Sequence, residues 1–196
     1  PRLLYTLPGF VISYLKKILR IDFINQLLID HGDKQGIDLV NASIRHFNIH
    51  PNVKGEKNIP EKGRFIFVAN HPMGAIDGLI FMSIVHKHFK EVKFLVNDIL
   101  LNISNLQSLF VPVNKHGRLP REAAKAIHNV YNSTAQILNF PAGLVSRKIK
   151  GRIQDLPWKK SFITKAIQYK RDIIPVYFSG RCSNFFYTVA GIRRLL

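Results

Sequence analysis

Cysteine is almost missing from this chain: Cys182 stands alone among 196 residues. A single thiol excludes an internal disulfide framework and any metal site assembled from several cysteines, and it fits a reducing compartment. Long apolar runs are missing too. No segment approaches the ~18 consecutive apolar residues of a spanning helix, and the first residues lack the charged, apolar and small-residue succession of a signal peptide. The expected location is therefore cytoplasmic, peripheral on the inner face of the cell membrane, without a crossing helix. There is no internal repeat, low-complexity tract or Gly-Ser linker. With 46% hydrophobic residues, 196 residues supply one sizeable core rather than two ordinary domains. Acidic residues are scarce, 12 Asp and Glu against 29 Lys and Arg, leaving a net charge of +17. Such a surplus suits nucleic acid, anionic lipid, or phosphorylated substrates and carriers. Nucleic acid fits worst, because the aromatic residues fall inside apolar runs rather than on a basic stacking platform, and no binding signature occurs. The chain starts at Pro1 instead of Met and stops at Leu196, so a longer parent protein is expected.

Along the chain, residues 8 to 29 place Ser13, Lys16, Lys17 and Arg20 at helical spacing. Val11, Ile12, Leu15, Ile18 and Leu19 cover the rest of the surface. This predicts a basic amphipathic helix that either lies in a lipid headgroup layer or packs on its own domain. A second helix is predicted near 34 to 47. Residues 1–50 are thus expected to form a helical, membrane-associating lead-in, closed by the Pro51 to Pro60 break, and residues 51–196 the main domain. From Arg64 onward, short runs rich in Phe, Ile and Val alternate with helical patterns: RFIFVA, GLIFMSIVHKHF, VKFLVN, SLFVPV, REAAKAIHNVYN, QILNF, KKSFITKAIQYK and DIIPVYF. That alternation predicts an α/β fold with a mostly parallel or mixed central sheet flanked by helices. In such folds functional residues gather beyond the carboxyl ends of the strands.

One stretch at a predicted strand end carries chemistry. In NHPMGAIDG, His71 follows the apolar run 64 to 69, Pro72 and Gly74 shape a turn, and Asp77 falls in the first turn of the next helix. A carboxylate so placed can accept from one imidazole nitrogen and leave the other as a general base. The stretch resembles the first block of the lysophospholipid and glycerolipid acyltransferase superfamily, an Asn-His followed by an acid. The commoner spacing puts four residues between the two. The five between His71 and Asp77 match the His-Pro-x-Gly-x-x-Asp-Gly form of the haemolysin-like branch, which includes ornithine- and glycine-lipid N-acyltransferases. Three further stretches resemble the family's later blocks in order: LFVPVNKHGR at 109 to 118, FPAGLVSRK at 140 to 148, and IIPVYFSG at 173 to 180. In the third, Ala142 stands where the family commonly has Glu.

The resemblance implies an acyltransferase with His71 and Asp77 catalytic and Asn70 and Gly74 lining the substrate. It also implies that Asn114, Lys115, His116 and Arg118 hold the acceptor or its phosphate, a role their charge suits. Phe140, Pro141, Gly143, Ser146 and Arg147 are further expected substrate contacts, with the Gly143 backbone able to approach an oxyanion. Nine basic residues between 140 and 172, including Lys148, Lys150, Arg152 and Lys159, suit an acidic carrier surface, a coenzyme A phosphate or a lipid headgroup. Trp158, the sole Trp, suits either a membrane interface or the core, and Cys182 is read as structural. No metal and no cofactor beyond the acyl thioester itself, on acyl carrier protein or coenzyme A, is expected. The acceptor favoured by the branch is an amino-acid amine such as glycine. O-acylation of a lysophospholipid or lysophosphatidic acid is the alternative, and a catalytically silent lipid-binding relative is a third reading.

Overall fold

The computed structural model describes residues 21–113 and 121–192. Two helices, α1 (Ile21–His31) and α2 (Gly36–His46), precede the first strand. Then follow β1 (Phe65–Ala69), α3 (Ala75–His88), β2 (Val92–Val96), β3 (Phe110–Pro112), α4 (Arg121–Asn132) and β4 (Gln136–Asn139). A short hairpin, β5 (Arg147–Ile149) and β6 (Arg152–Gln154), leads to α5 (Ser161–Tyr169), β7 (Asp172–Val176) and α6 (Asn184–Ile192). Five strands form one sheet in the order β3-β2-β4-β1-β7, every pairing parallel. The α/β architecture expected from the alternating runs is the one found. The amphipathic helix predicted over 8 to 29 lies largely outside the described residues.

Strand β1 shows why its sequence carries no polar alternation. All five of its residues are buried, because helices cover both faces of a parallel sheet. Phe65, Phe67 and Ala69 point to one side, where they meet Leu39 and Val40 of α2 and Phe81, Met82 and Val85 of α3. Ile66 and Val68 point to the other, against Tyr131 of α4 and Ala166 and Tyr169 of α5. Burying each large side chain contributes roughly 1.5–3 kcal/mol, so the layers hold the strand ends in fixed positions. Because α2 buries Leu39 and Val40 with the sheet, that part of the lead-in is built into the main core. The sequence pattern announced neither α6 nor the β5-β6 hairpin. Its two-residue loop has Lys150 at φ 48° and Gly151 at φ 80°, with Ile149 paired to Arg152. Two successive positive φ values define the tight turn that suits hairpin twist.

Candidate active site

Parallel order puts the carboxyl ends of β1, β4 and β7 side by side, and the chain leaving each one contributes to a single cluster. Beyond β1, the turn Asn70 to Gly74 enters α3. Gly74 caps that helix at φ 75°, ψ −130°, a conformation open only to glycine. This turn absorbs the fifth intervening residue and still brings Nδ1 of His71 to 3.1 Å from Oδ2 of Asp77. Asp77 is fully buried, while the His71 side chain keeps 17% exposure. The same Oδ2 accepts the Met73 N–H at 2.7 Å, and the N-terminal end of α3 favours the negative charge. Oδ1 is buried with no hydrogen-bond partner among the described residues. With the carboxylate accepting, Nδ1 carries the ring proton and Nε2 is left as an acceptor. Nε2 makes no hydrogen bond with any described residue. Accepting from Nδ1 at a fully buried position, Asp77 fixes the orientation of the imidazole.

The neighbouring strand fixes the ring plane. Phe140, directly after β4, stacks on His71 with centroids 4.0 Å apart and planes 14° from parallel. Phe140 in turn touches Phe81, Phe94 and Phe178, so the imidazole rests on an aromatic wall continuous with the core. Beyond β7, Phe178 exchanges two hydrogen bonds with the Asn70 side chain, donating its N–H at 2.7 Å and accepting at 2.9 Å. The Asn70 amide therefore extends the β1-β7 pairing by one step, and its role is to brace the turn. Further on, the Cys182 thiol donates to the Pro72 carbonyl at 3.4 Å. Burial, then the Asp77 charge, raise that thiol above its ordinary pKa, with Arg147 opposing.

The segment after β4 serves the site in ways the sequence did not indicate. Its Gly143 N–H, expected to face an oxyanion, is given to the Phe140 carbonyl at 2.8 Å and closes the turn. Pro141 is buried and its carbonyl accepts from Lys159 N–H at 3.1 Å. Ser146 is buried; its N–H donates to the His71 carbonyl at 2.8 Å and its hydroxyl to Asp155 Oδ1 at 2.5 Å. Arg147 turns its guanidinium to the Val145 carbonyl at 2.5 Å and over the Phe186 ring at 5.3 Å. The residue that sequence reasoning missed is Asp155. Its Oδ1 also accepts the His71 N–H at 3.2 Å, and its Oδ2 accepts the Trp158 indole N–H at 2.8 Å. One carboxylate thereby ties the His71 turn to the segment following β6. Asn114, Lys115, His116 and Arg118 lie outside the described residues.

Among the described residues no group of three or more His, Cys, Asp or Glu side chains is placed to hold a metal, and no helix is long and apolar enough to cross a membrane. A cavity of about 520 Å³ opens between Ile37, His86, Lys90, Val92 and Val130. It lies at the amino end of the sheet, away from His71, and contains no comparable acid-base pair.

Sequence comparisons bear on the chain as a whole. A family model described as acyltransferase matches residues 1–196. The lyso-glycine lipid O-acyltransferase of Bacteroides thetaiotaomicron is 44% identical over 191 residues, covering 97% of this chain and 70% of the relative. The enzyme of the same name from Phocaeicola vulgatus is 42% identical over 191 residues, covering 97% of this chain and 68% of its own. No solved structure matches. The match along the whole chain and the identity to these two enzymes show that it belongs to the acyltransferase family and is an enzyme that transfers acyl groups.

Proposed function

We propose that this enzyme esterifies a hydroxyl group on a singly acylated amino-acid lipid, of the lyso-glycine lipid kind, using an acyl thioester on acyl carrier protein or coenzyme A as donor. The observation that carries the chemistry is the buried Asp77 behind an imidazole whose Nε2 is unoccupied by any described residue. An alcohol is a poor nucleophile until its proton is removed, which is the task such a pair suits. Nε2 takes the hydroxyl proton as the oxygen attacks the thioester carbonyl. The tetrahedral adduct then collapses, the C–S bond breaks, and the thiolate recovers the proton from the imidazolium, giving an ester and a free thiol. No covalent enzyme intermediate is needed.

The O-acyltransferase activity for which the two relatives are named moves the preferred acceptor from the amine, which the branch resemblance favoured, to a hydroxyl. Amide formation on glycine is the second reading, supported by the His-Pro-x-Gly-x-x-Asp-Gly spacing. Incubation with labelled acyl carrier protein or acyl coenzyme A and either a lyso-glycine lipid or free glycine separates the two. The expected product from the lyso lipid loses its new acyl chain in mild alkali, as an ester does. A product that survives that treatment, or transfer to glycine alone, overturns the hydroxyl reading.

A further inference from the structure

The carboxyl-end rim around His71 combines charge and apolar surface in a way that catalysis does not require. Between Leu144 and Lys160 the chain has six basic residues and one acid, Asp155. That acid is turned inward and spent on His71, Ser146 and Trp158. Lys148, Lys150, Arg152, Lys159 and Lys160 are exposed, and among the described residues none of the five is in an ion pair. Three of them sit on the β5-β6 hairpin, at or beside its tip. Interleaved with them are exposed apolar side chains. Leu144 follows β4, Trp158 follows β6, Tyr177 follows β7, and Ile76 opens α3; their exposures are 42%, 39%, 80% and 39%. Topology places all four at the end of the sheet that holds His71. Single exposed apolar residues need no explanation. A set gathered at the sheet end that holds His71, together with cations in no ion pair with a described residue, has the composition of a lipid interface: aromatic and aliphatic groups at headgroup depth, Lys and Arg on phosphates.

We propose that this rim, Trp158 and the hairpin cations included, is the surface that seats the enzyme on an anionic bilayer. An acidic carrier protein would satisfy the cations but leaves the apolar side chains without a role. The indole is tied through Asp155 to the His71 backbone, so docking sets the catalytic ring at a fixed depth beside the layer that holds a lipid acceptor. The proposal takes its motive from the lipid acceptor proposed above, yet vesicle binding is measured without turnover.

Trp158 is the only Trp in the chain, so intrinsic fluorescence reads this one place. Phosphatidylglycerol-containing vesicles are expected to shift its emission to the blue, and brominated phosphatidylcholine in the same vesicles to quench it. Pure phosphatidylcholine vesicles should do neither. Because each cation near an anionic surface is worth about fivefold in binding, the K148E/K150E/R152E variant, which removes three cations and adds three anions, should bind the anionic vesicles at least about a hundredfold more weakly. Its thermal midpoint should be unchanged. K57E/K62E/K90E makes the same change of charge at the amino end of the sheet and should lose no more than about threefold. Equal losses in the two variants, or vesicle binding that leaves Trp158 unshifted, overturns the proposal. So does a Trp158 response to acidic acyl carrier protein in solution but not to vesicles, which would make the rim a carrier site. Failure of the wild type to transfer acyl groups to a lyso-glycine lipid in detergent micelles, with vesicle binding intact, refutes the acceptor reading and leaves the surface standing.

Discussion

Each end of the sheet buries one charged side chain. At the amino end Arg171, 4% exposed, reaches under the C-terminus of α4. Its guanidinium donates to the carbonyls of Val130, Tyr131, Ser133, Ala135 and Phe65, and Arg64 takes those of Asn132 and Tyr169. The last carbonyls of a helix lack partners and carry partial negative charge, so a cation there answers both needs. Burial, with Arg64 adding, lowers the Arg171 pKa only to about 10, the Tyr131 phenol opposing, so it is still charged at neutral pH. At the carboxyl end Asp77 meets the N-terminus of α3 by the same polarity, yet only Oδ2 is engaged. In a parallel α/β fold every strand end of one kind shares a side with helix ends of one kind, so a buried anion is favoured at one end and a buried cation at the other. What separates scaffold from chemistry is satisfaction. Every carbonyl around Arg171 is answered, whereas the Asp77-His71 pair ends in an unoccupied nitrogen.

The comparison predicts that removing charge costs stability at one end and activity at the other. His71→Ala should lower the acyl transfer rate at least ~10³-fold, roughly 4 kcal/mol in the barrier, with the denaturant midpoint unmoved; near-normal turnover would break the catalytic half of the contrast. Arg171→Met leaves several buried carbonyls without a donor and should cost about 3 kcal/mol in unfolding free energy, read by chemical denaturation. Asp77→Asn should lower kcat by about 10², because the amide no longer enforces a proton on Nδ1. Its stability should hold or rise, since a buried carboxylate oxygen without a partner is lost. A large drop in stability would mean that both ends are equally structural.

The same contrast marks what the sequence could convey. β1, the turn and the start of α3 were legible because a wholly apolar strand running into Asn-His-Pro has few other readings, and His71 and Asp77 are six residues apart. Arg171 was one basic residue among nine in a charged stretch, and nothing in its neighbourhood foretells carbonyls from α4, the loop between α4 and β4, and β1. Asp155 was hidden likewise: its partner His71 is 84 residues away, and the strands that deliver it are three residues long and mostly polar. Lys150-Gly151 between Ile149 and Ile153 was the available hairpin signal. The Gly143 N–H bond to the Phe140 carbonyl was hidden for a related reason, since the direction of a turn's N–H depends on the turn's closure. Asp155→Ala removes the brace from the His71 N–H, Ser146 and Trp158. It should lower kcat about tenfold with KM little changed, a loss of ~1.4 kcal/mol. An equal loss for Ser146→Ala would place the effect in Ser146 rather than in the His71 backbone.

Cys182 is the remaining test of where chemistry stops. It lies within reach of the catalytic turn, and a thiol beside a thioester substrate raises the possibility of a covalent acyl-enzyme. The physics argues otherwise. Attack requires the thiolate, and here burial first and the Asp77 charge second raise the thiol's pKa, outweighing Arg147. The sulfur also donates to the Pro72 carbonyl at 3.4 Å, a contact only the protonated form makes. A hydroxyl can make the same bond, so Cys182→Ser should keep transfer within roughly threefold of wild type, a change below ~0.7 kcal/mol. Iodoacetamide should modify the native protein slowly at pH 7 and faster as the pH rises above the ordinary thiol range. A loss comparable with that of His71→Ala, or an acyl group recovered on Cys182 after quenching with acid, would move the nucleophile onto the enzyme and leave Asp77 serving a different base.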